Sequence, residues 1–133
     1  MREIKFRGKK ENSRVWDFGN YAVSKDGKSF LVSIAKDDIG YIVYLAEVNK
    51  NTIGQYTGLK DKNGVEIYEG DIIIAYGNDS IRWKVIYDQS HCMFTLCYDK
   101  NVDHFGGMIE KHKFAYEVIG NIYDNPELLE VDE

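Results

Sequence analysis

The feature that most constrains this chain is a period-two alternation of apolar and polar residues, cut at short intervals by dipeptides that favour tight turns. Ile4-Lys5-Phe6-Arg7 alternates cleanly, and Arg14-Val15-Trp16-Asp17-Phe18 does so again after the polar stretch Gly8 to Ser13. Tyr21-Ala22-Val23-Ser24 and Ser29-Phe30-Leu31-Val32-Ser33-Ile34 flank Lys25-Asp26-Gly27-Lys28, where Asp-Gly supplies the positive-φ residues of a hairpin turn. Asn63-Gly64 and Glu69-Gly70-Asp71 repeat the signal just before Ile72-Ile73-Ile74-Ala75-Tyr76. A chain patterned this way folds as strands, and turns this close predict a tightly coiled ribbon that curls into a small barrel.

Tyr41-Ile42-Val43-Tyr44-Leu45-Ala46-Glu47-Val48 is apolar enough for a strand buried on both faces or, lacking a breaker over eight residues, a short helix, and its β-branched and Tyr content favours the strand. Ile81–Tyr87, Cys92–Tyr98 and Phe114–Ile122 follow as further strands. Only the end reads as helical: Asn125 stands as N-cap, Pro126 at the first helical position and Glu127 in the first turn. One domain with two lobes is expected, an N-terminal β lobe over about 1–52 and a coiled barrel lobe over about 53–133.

At 133 residues, 44% hydrophobic and 29% charged with one Pro, the composition is that of a single globular domain and excludes disordered and collagen-like classes. Such a chain can bury a core without a metal or disulfides. Its longest apolar runs fall far short of the ~20 residues a helical membrane span needs. The opening Met1-Arg2-Glu3-Ile4-Lys5-Phe6-Arg7 has no apolar segment of a secretory signal, and Cys92 and Cys97 fit thiols in a reducing compartment. A cytoplasmic protein with no membrane partner is the expectation.

Charge is unevenly placed. Residues 1–53 hold ten Lys/Arg against seven Asp/Glu, net +3, and residues 54–133 hold seven against fifteen, net −8. Arg2, Lys5, Arg7, Lys9 and Lys10 form the densest basic stretch and are the candidates for contact with nucleic acid, provided they make one exposed stripe. The same residues suit an edge strand kept soluble by its charges. An acidic far half suits head-to-tail self-association.

Residue types that could carry chemistry are few. His91, Cys92, Cys97, His104 and His112 are zinc-ligand types, but Cys92 and Cys97 are five apart, an offset that sets them on opposite faces of one strand. Cys92 or Cys97 with His91 or His104 as base has no nucleophile turn around it. Asp37-Asp38 reads as a solvated loop pair, and Phe105-Gly106-Gly107 lacks the lysine and helix of a phosphate loop. Trp16, Trp83 and ten Tyr could stack bases, yet the barrel half is acidic and core or interface packing is favoured. No catalytic residue, metal or cofactor is assigned.

Ile53-Gly54-Gln55-Tyr56-Thr57-Gly58-Leu59-Lys60-Asp61-Lys62-Asn63-Gly64, followed by Glu66-Ile67-Tyr68-Glu69-Gly70-Asp71-Ile72, resembles the YopX family of phage and prophage proteins. The opening Ile4-Lys5-Phe6-Arg7 and the closing Tyr116 to Leu129 agree with it, so the resemblance spans nearly the whole chain. It implies a mainly β phage or prophage protein that self-associates and has no established catalytic residues.

Turn chemistry accounts for much of the central block: its glycines permit turns, Tyr56 and Tyr68 pack, and Asp71 can cap backbone. Its rival is a binding surface on loops made by Gln55, Tyr56, Thr57, Lys60 and Lys62. The combined expectation is a mainly β fold of coiled, bifurcated antiparallel sheets with a small SH3-like barrel portion and a short C-terminal helix. Functionally it is an accessory protein that works by binding, as a homo-oligomer and on an unknown phage or host protein. Nucleic-acid binding is the alternative, and a small Cys/His metal protein or hydrolase the more remote one.

Overall fold

The computed structural model describes residues 2–98 and 115–130 and the backbone of 101–103. The chain divides into two compact units, Met1–Tyr56 and Thr57–Glu133. Both are built from antiparallel β-strands, as the alternation predicts.

The first unit contains β1 (Phe6–Lys9), β2 (Trp16–Val23), β3 (Ser29–Lys36), β4 (Tyr41–Val48) and the opening residues of β5 (Gly54–Lys60), in the order β4-β3-β2-β1-β5. β2 is one strand where the sequence suggests two. Its first half pairs with β1, from Lys9↔Trp16 to Phe6↔Gly19, and its second half pairs with β3, from Asn20↔Val32 to Val23↔Ser29. Gly19 stands where the partner changes, and a Cβ there would lie 2.4 Å from the Val32 carbonyl oxygen. This partner change is the bifurcation of the sheet.

The Asp26-Gly27 hairpin forms as expected: Gly27 takes φ +87°, its N–H donates to the Ser24 carbonyl, and the Ser24 hydroxyl donates to the Asp26 carboxylate. After β4, Asn49 accepts the Asn51 N–H and opens a single 3-10 turn, Lys50–Thr52. Asn49 N–H donates to the Lys9 carbonyl at 2.7 Å and Lys9 N–H to the Thr52 hydroxyl at 2.9 Å, which fastens this polar break to β1.

One expectation fails in this unit. β4 is not buried on both faces; Tyr41 through Leu45 are exposed, and only Val48 at its end is buried. The reason is positional. β4 ends the strand order, and β3 pairs with β2 only through residues 29–32, so among the described residues no further strand pairs with the outer half of the β3–β4 hairpin.

The second unit continues β5, adds β6 (Glu66–Tyr68), and holds the sheet of β7 (Asp71–Ala75), β8 (Asn78–Asp88), β9 (Met93–Tyr98), β10 (Asn101–Asp103) and β11 (Tyr116–Asn121), ordered β10-β9-β8-β7-β11. Among the described residues this order does not confirm an SH3-like barrel. Its core is Ile67, Ile73, Val85, Leu96 and Tyr116, with Leu59, Trp83, Phe94 and Val118 packed around them. Each such side chain contributes roughly 1.5–3 kcal/mol by leaving water.

The expected C-terminal helix is a four-residue 3-10 turn, Pro126–Leu129. Asn125 makes no side-chain cap there; its Oδ1 accepts the Asn121 N–H at 3.2 Å instead. Arg82 Nη1 donates to the Leu128 carbonyl at 3.0 Å, and Glu130 is already extended, so the segment stops after one turn.

Candidate interaction surfaces

The central block Ile53–Ile72 explains itself largely through backbone satisfaction. Asp61 is buried; its Oδ1 accepts the Asn63 and Val65 N–H groups at 2.8 and 2.9 Å, and its Oδ2 accepts the Val118 N–H at 2.9 Å. One carboxylate thus shapes the Asn63-Gly64 turn and ties it to β11. Asp71, also buried, accepts the Tyr68 N–H at 2.7 Å and shapes the turn at Gly70 before β7. A buried carboxylate that accepts several backbone donors is the strong form of hydrogen bond.

The candidate loop surface is a strand. Gln55, Tyr56, Thr57 and Lys60 lie on β5, and only Lys62 is in the following turn. Tyr56 is buried under the Lys5 ammonium, 5.0 Å from the ring centre. The Thr57 hydroxyl donates to the Ile67 carbonyl at 2.8 Å, and Lys62 pairs with Glu117 at 3.4 Å. Pairing of Phe6 with Gln55 and Arg7 with Gly54 holds the start of β5 extended, which alternates these side chains instead of grouping them.

The basic opening stretch does not make one exposed stripe. Arg7 is only 8% exposed and its guanidinium lies 4.5 Å from the Trp16 ring centre, with the Lys9 ammonium 5.5 Å from the same ring. Lys5 pairs with Glu3 at 3.1 Å besides covering Tyr56. Arg2 and Lys10 remain outside this arrangement, and Lys10 lines an open cleft of about 570 Å³ with Lys28, Lys50, Glu11 and Glu47. Period-two spacing put Arg7 and Lys9 on one face of β1 with Lys5 just before it, and cation–aromatic packing uses all three.

The described members of the Cys/His group do not cluster. Cys92 sits in the turn before β9, exposed and with φ +53°, whereas Cys97 is buried in β9, so the two do not share a strand. His91 Nδ1 is 2.7 Å from the Asp88 carboxylate. His104 and His112, and the Phe105-Gly106-Gly107 turn, lie outside the described residues. Among the described residues no three metal-ligating side chains converge.

In the second unit an apolar cavity of about 270 Å³ is lined by Tyr76, Ile81, Trp83, Leu96 and Tyr116. Burial first, and the neighbouring Tyr76 second, push the Tyr116 hydroxyl up from 10.0 to about 12. The unfolded chain therefore releases this proton first as the pH rises, and stability falls between about pH 10 and 12. Urea unfolding midpoints of wild type and Tyr116→Phe at pH 9 and 11 check this: the wild-type drop between the two should shrink in the variant.

What sequence reasoning missed is the outer half of the β3–β4 hairpin. Ile34, Ile39 and Tyr41 to Leu45 stand exposed together, with Ile39 96% and Tyr41 73% accessible. At the tip, the Asp37 carboxylate accepts the Ile39 and Gly40 N–H groups, each at 2.8 Å, and these bonds, Gly40's first, hold it below the usual carboxylate range. The available signal was a strand of eight residues with a single charge, Glu47, which an apolar-means-core rule misassigns.

The geometry describes a mainly β protein of antiparallel ladders with an exposed apolar two-stranded arm. The chain belongs to the YopX family, whose model, described as YopX protein, matches residues 5–130. It is similar to a solved structure titled "Crystal structure of protein EF1440 from Enterococcus faecalis", with 25% identity and a TM-score of 0.61, covering 98% of this chain and 100% of that one. A comparison with curated proteins finds no match. No helix among the described residues is long and apolar enough to cross a membrane.

Proposed function

We propose that this chain is a non-enzymatic phage or prophage accessory protein that acts in the host cytoplasm by binding, and that it self-associates. The exposed β3–β4 arm carries this reading. An isolated two-stranded hairpin is marginal in water, and contiguous apolar surface of this kind marks a protein contact. Arg7, Lys5 and Lys9 are engaged with aromatic rings, which weakens the rival reading of a basic nucleic-acid stripe. The Lys10, Lys28 and Lys50 cleft is what supports that rival, though Glu11 and Glu47 share it.

Light scattering across micromolar concentrations tests self-association, and a constant monomer mass overturns it. Affinity capture from host lysate with and without nuclease separates the partner classes. Nuclease-resistant capture of one protein that is lost on substituting the arm supports the interaction module; capture that vanishes with nuclease transfers the function to nucleic acid.

A further inference from the structure

Resting on the proposed self-association, the geometry points to its interface: the outer edge of β4 pairs antiparallel with β4 of a second copy about a two-fold axis at Val43. The hydrogen-bond parity of the hairpin carries the argument. Asp37 N–H donates to the Gly40 carbonyl at 2.8 Å, and the ladder continues in register from Lys36↔Tyr41 to Ser29↔Val48. Antiparallel pairs alternate between those that exchange hydrogen bonds and those that do not. Ile42, Tyr44 and Ala46 therefore turn their backbone groups toward β3, and Tyr41, Val43 and Leu45 turn theirs outward, along an edge that no described strand occupies.

Pairing centred on Val43 uses all of them. Val43 N–H meets the Val43 carbonyl of the second copy and the reverse, while Tyr41 and Leu45 exchange bonds across the axis. The side chains match as well. On one face Val43 meets its own copy and Tyr41 meets Leu45; on the other Ile42 meets Tyr44. No charged residue lies between Tyr41 and Ala46, so no charge opposes itself across the two-fold.

Sliding the register toward the strand's end sets Glu47 against Tyr41, and sliding it toward the tip brings Asp38 and then Asp37 into the pairing. The Val43 register is the one that pairs the five exposed hydrophobic residues of β4 with one another, and it excludes every charge. An edge this long, apolar and free of Lys and Pro lacks the devices that ordinarily prevent edge pairing. Tyr41, Val43 and Leu45, the residues whose backbone groups face outward, are 73%, 58% and 67% exposed, so the pairing withdraws apolar surface from water along the whole edge.

Oxidative cross-linking tests the register in a Cys92→Ser background. Val43→Cys brings two thiols into a pair whose Cα atoms are about 5.5 Å apart, within disulfide range. Val15→Cys, 67% exposed against 58% for Val43, is the exposure-matched control for chance collision. The expected result is a covalent dimer with Val43→Cys and little with Val15→Cys. A second variant, Val43→Lys, sets two ammonium groups against each other on the axis and should weaken the dimer at least about tenfold with an unchanged circular dichroism spectrum. Equal cross-linking of both cysteine variants, or an oligomer unaffected by Val43→Lys, overturns the β4 interface while leaving self-association standing. A wild-type monomer at all concentrations overturns both.

Discussion

Asp61→Ala is expected to destabilise the second unit by about 3 kcal/mol, a large share of the 5–15 kcal/mol that holds a domain together. The substitution removes the acceptor of three backbone N–H groups at 2.8 to 2.9 Å, those of Asn63, Val65 and Val118. Hydrogen bonds to a charged partner contribute about 1.5–3 kcal/mol each, and an orphaned buried donor costs about 1–3 kcal/mol. Water can rescue the two turn amides, since Asn63 and Val65 are exposed, but Val118 lies within β11 against the core. Asp61→Asn should fall between, because its Oδ1 can still serve the turn while its amide nitrogen faces the Val118 donor. Urea unfolding followed through Trp83 fluorescence checks both. A cost below 1 kcal/mol for Asp61→Ala would show that the turn holds itself.

Gly19→Ala should cost the first unit about 2–4 kcal/mol, in the range of overpacking that has no flexible neighbour to absorb it. The added Cβ would stand 2.4 Å from the Val32 carbonyl oxygen and 2.9 Å from its carbon. These are backbone atoms of the ladder, so β3 must separate from β2 at the point where β2 changes partner. Gly27→Ala makes the contrast. It also occupies a positive φ, +87°, but nothing lies within 4 Å, and only the backbone penalty of roughly 1–2 kcal/mol applies. Trp16 stands in the first unit and Trp83 in the second, so Trp83→Phe isolates the first unit's transition. Similar losses for the two glycine variants would remove the steric account.

The separation at β2 also bears on the arm. β3 is held to the body of the sheet through Ser29–Val32, and the arm is the continuation of that strand. A Gly19→Ala protein that still folds should therefore present a less fixed arm and associate more weakly, which ties the partner change in β2 to the proposed contact surface.

Much of the local structure was legible in the residues. Alternation fixed the strand class, Asp26-Gly27 and Asn63-Gly64 fixed two hairpin turns with positive-φ glycines, and the central block identified the family. These depend on neighbours in the chain and on backbone chemistry, which a sequence states directly.

Burial was not legible in the same way. Tyr41–Val48 has the composition of a two-sided core strand, but whether a strand is central or at an edge depends on how many partners reach it, and β2 stops pairing at Val32. Lys5, Arg7 and Lys9 read as a charged stripe, yet the proximity of Trp16 on the paired strand and of Tyr56, distant in sequence, placed them against aromatic rings. Gln55 to Lys60 read as loop because of its glycines, and pairing with β1 made its start a strand. The short Asn125–Leu129 segment had the residues of a helix start but ended as one 3-10 turn once Arg82 took a carbonyl at its end. Period, turns and family can be read along the chain; which apolar strand is core and which stays exposed follows from pairing, because exposure is a property of neighbours that the chain brings together only on folding.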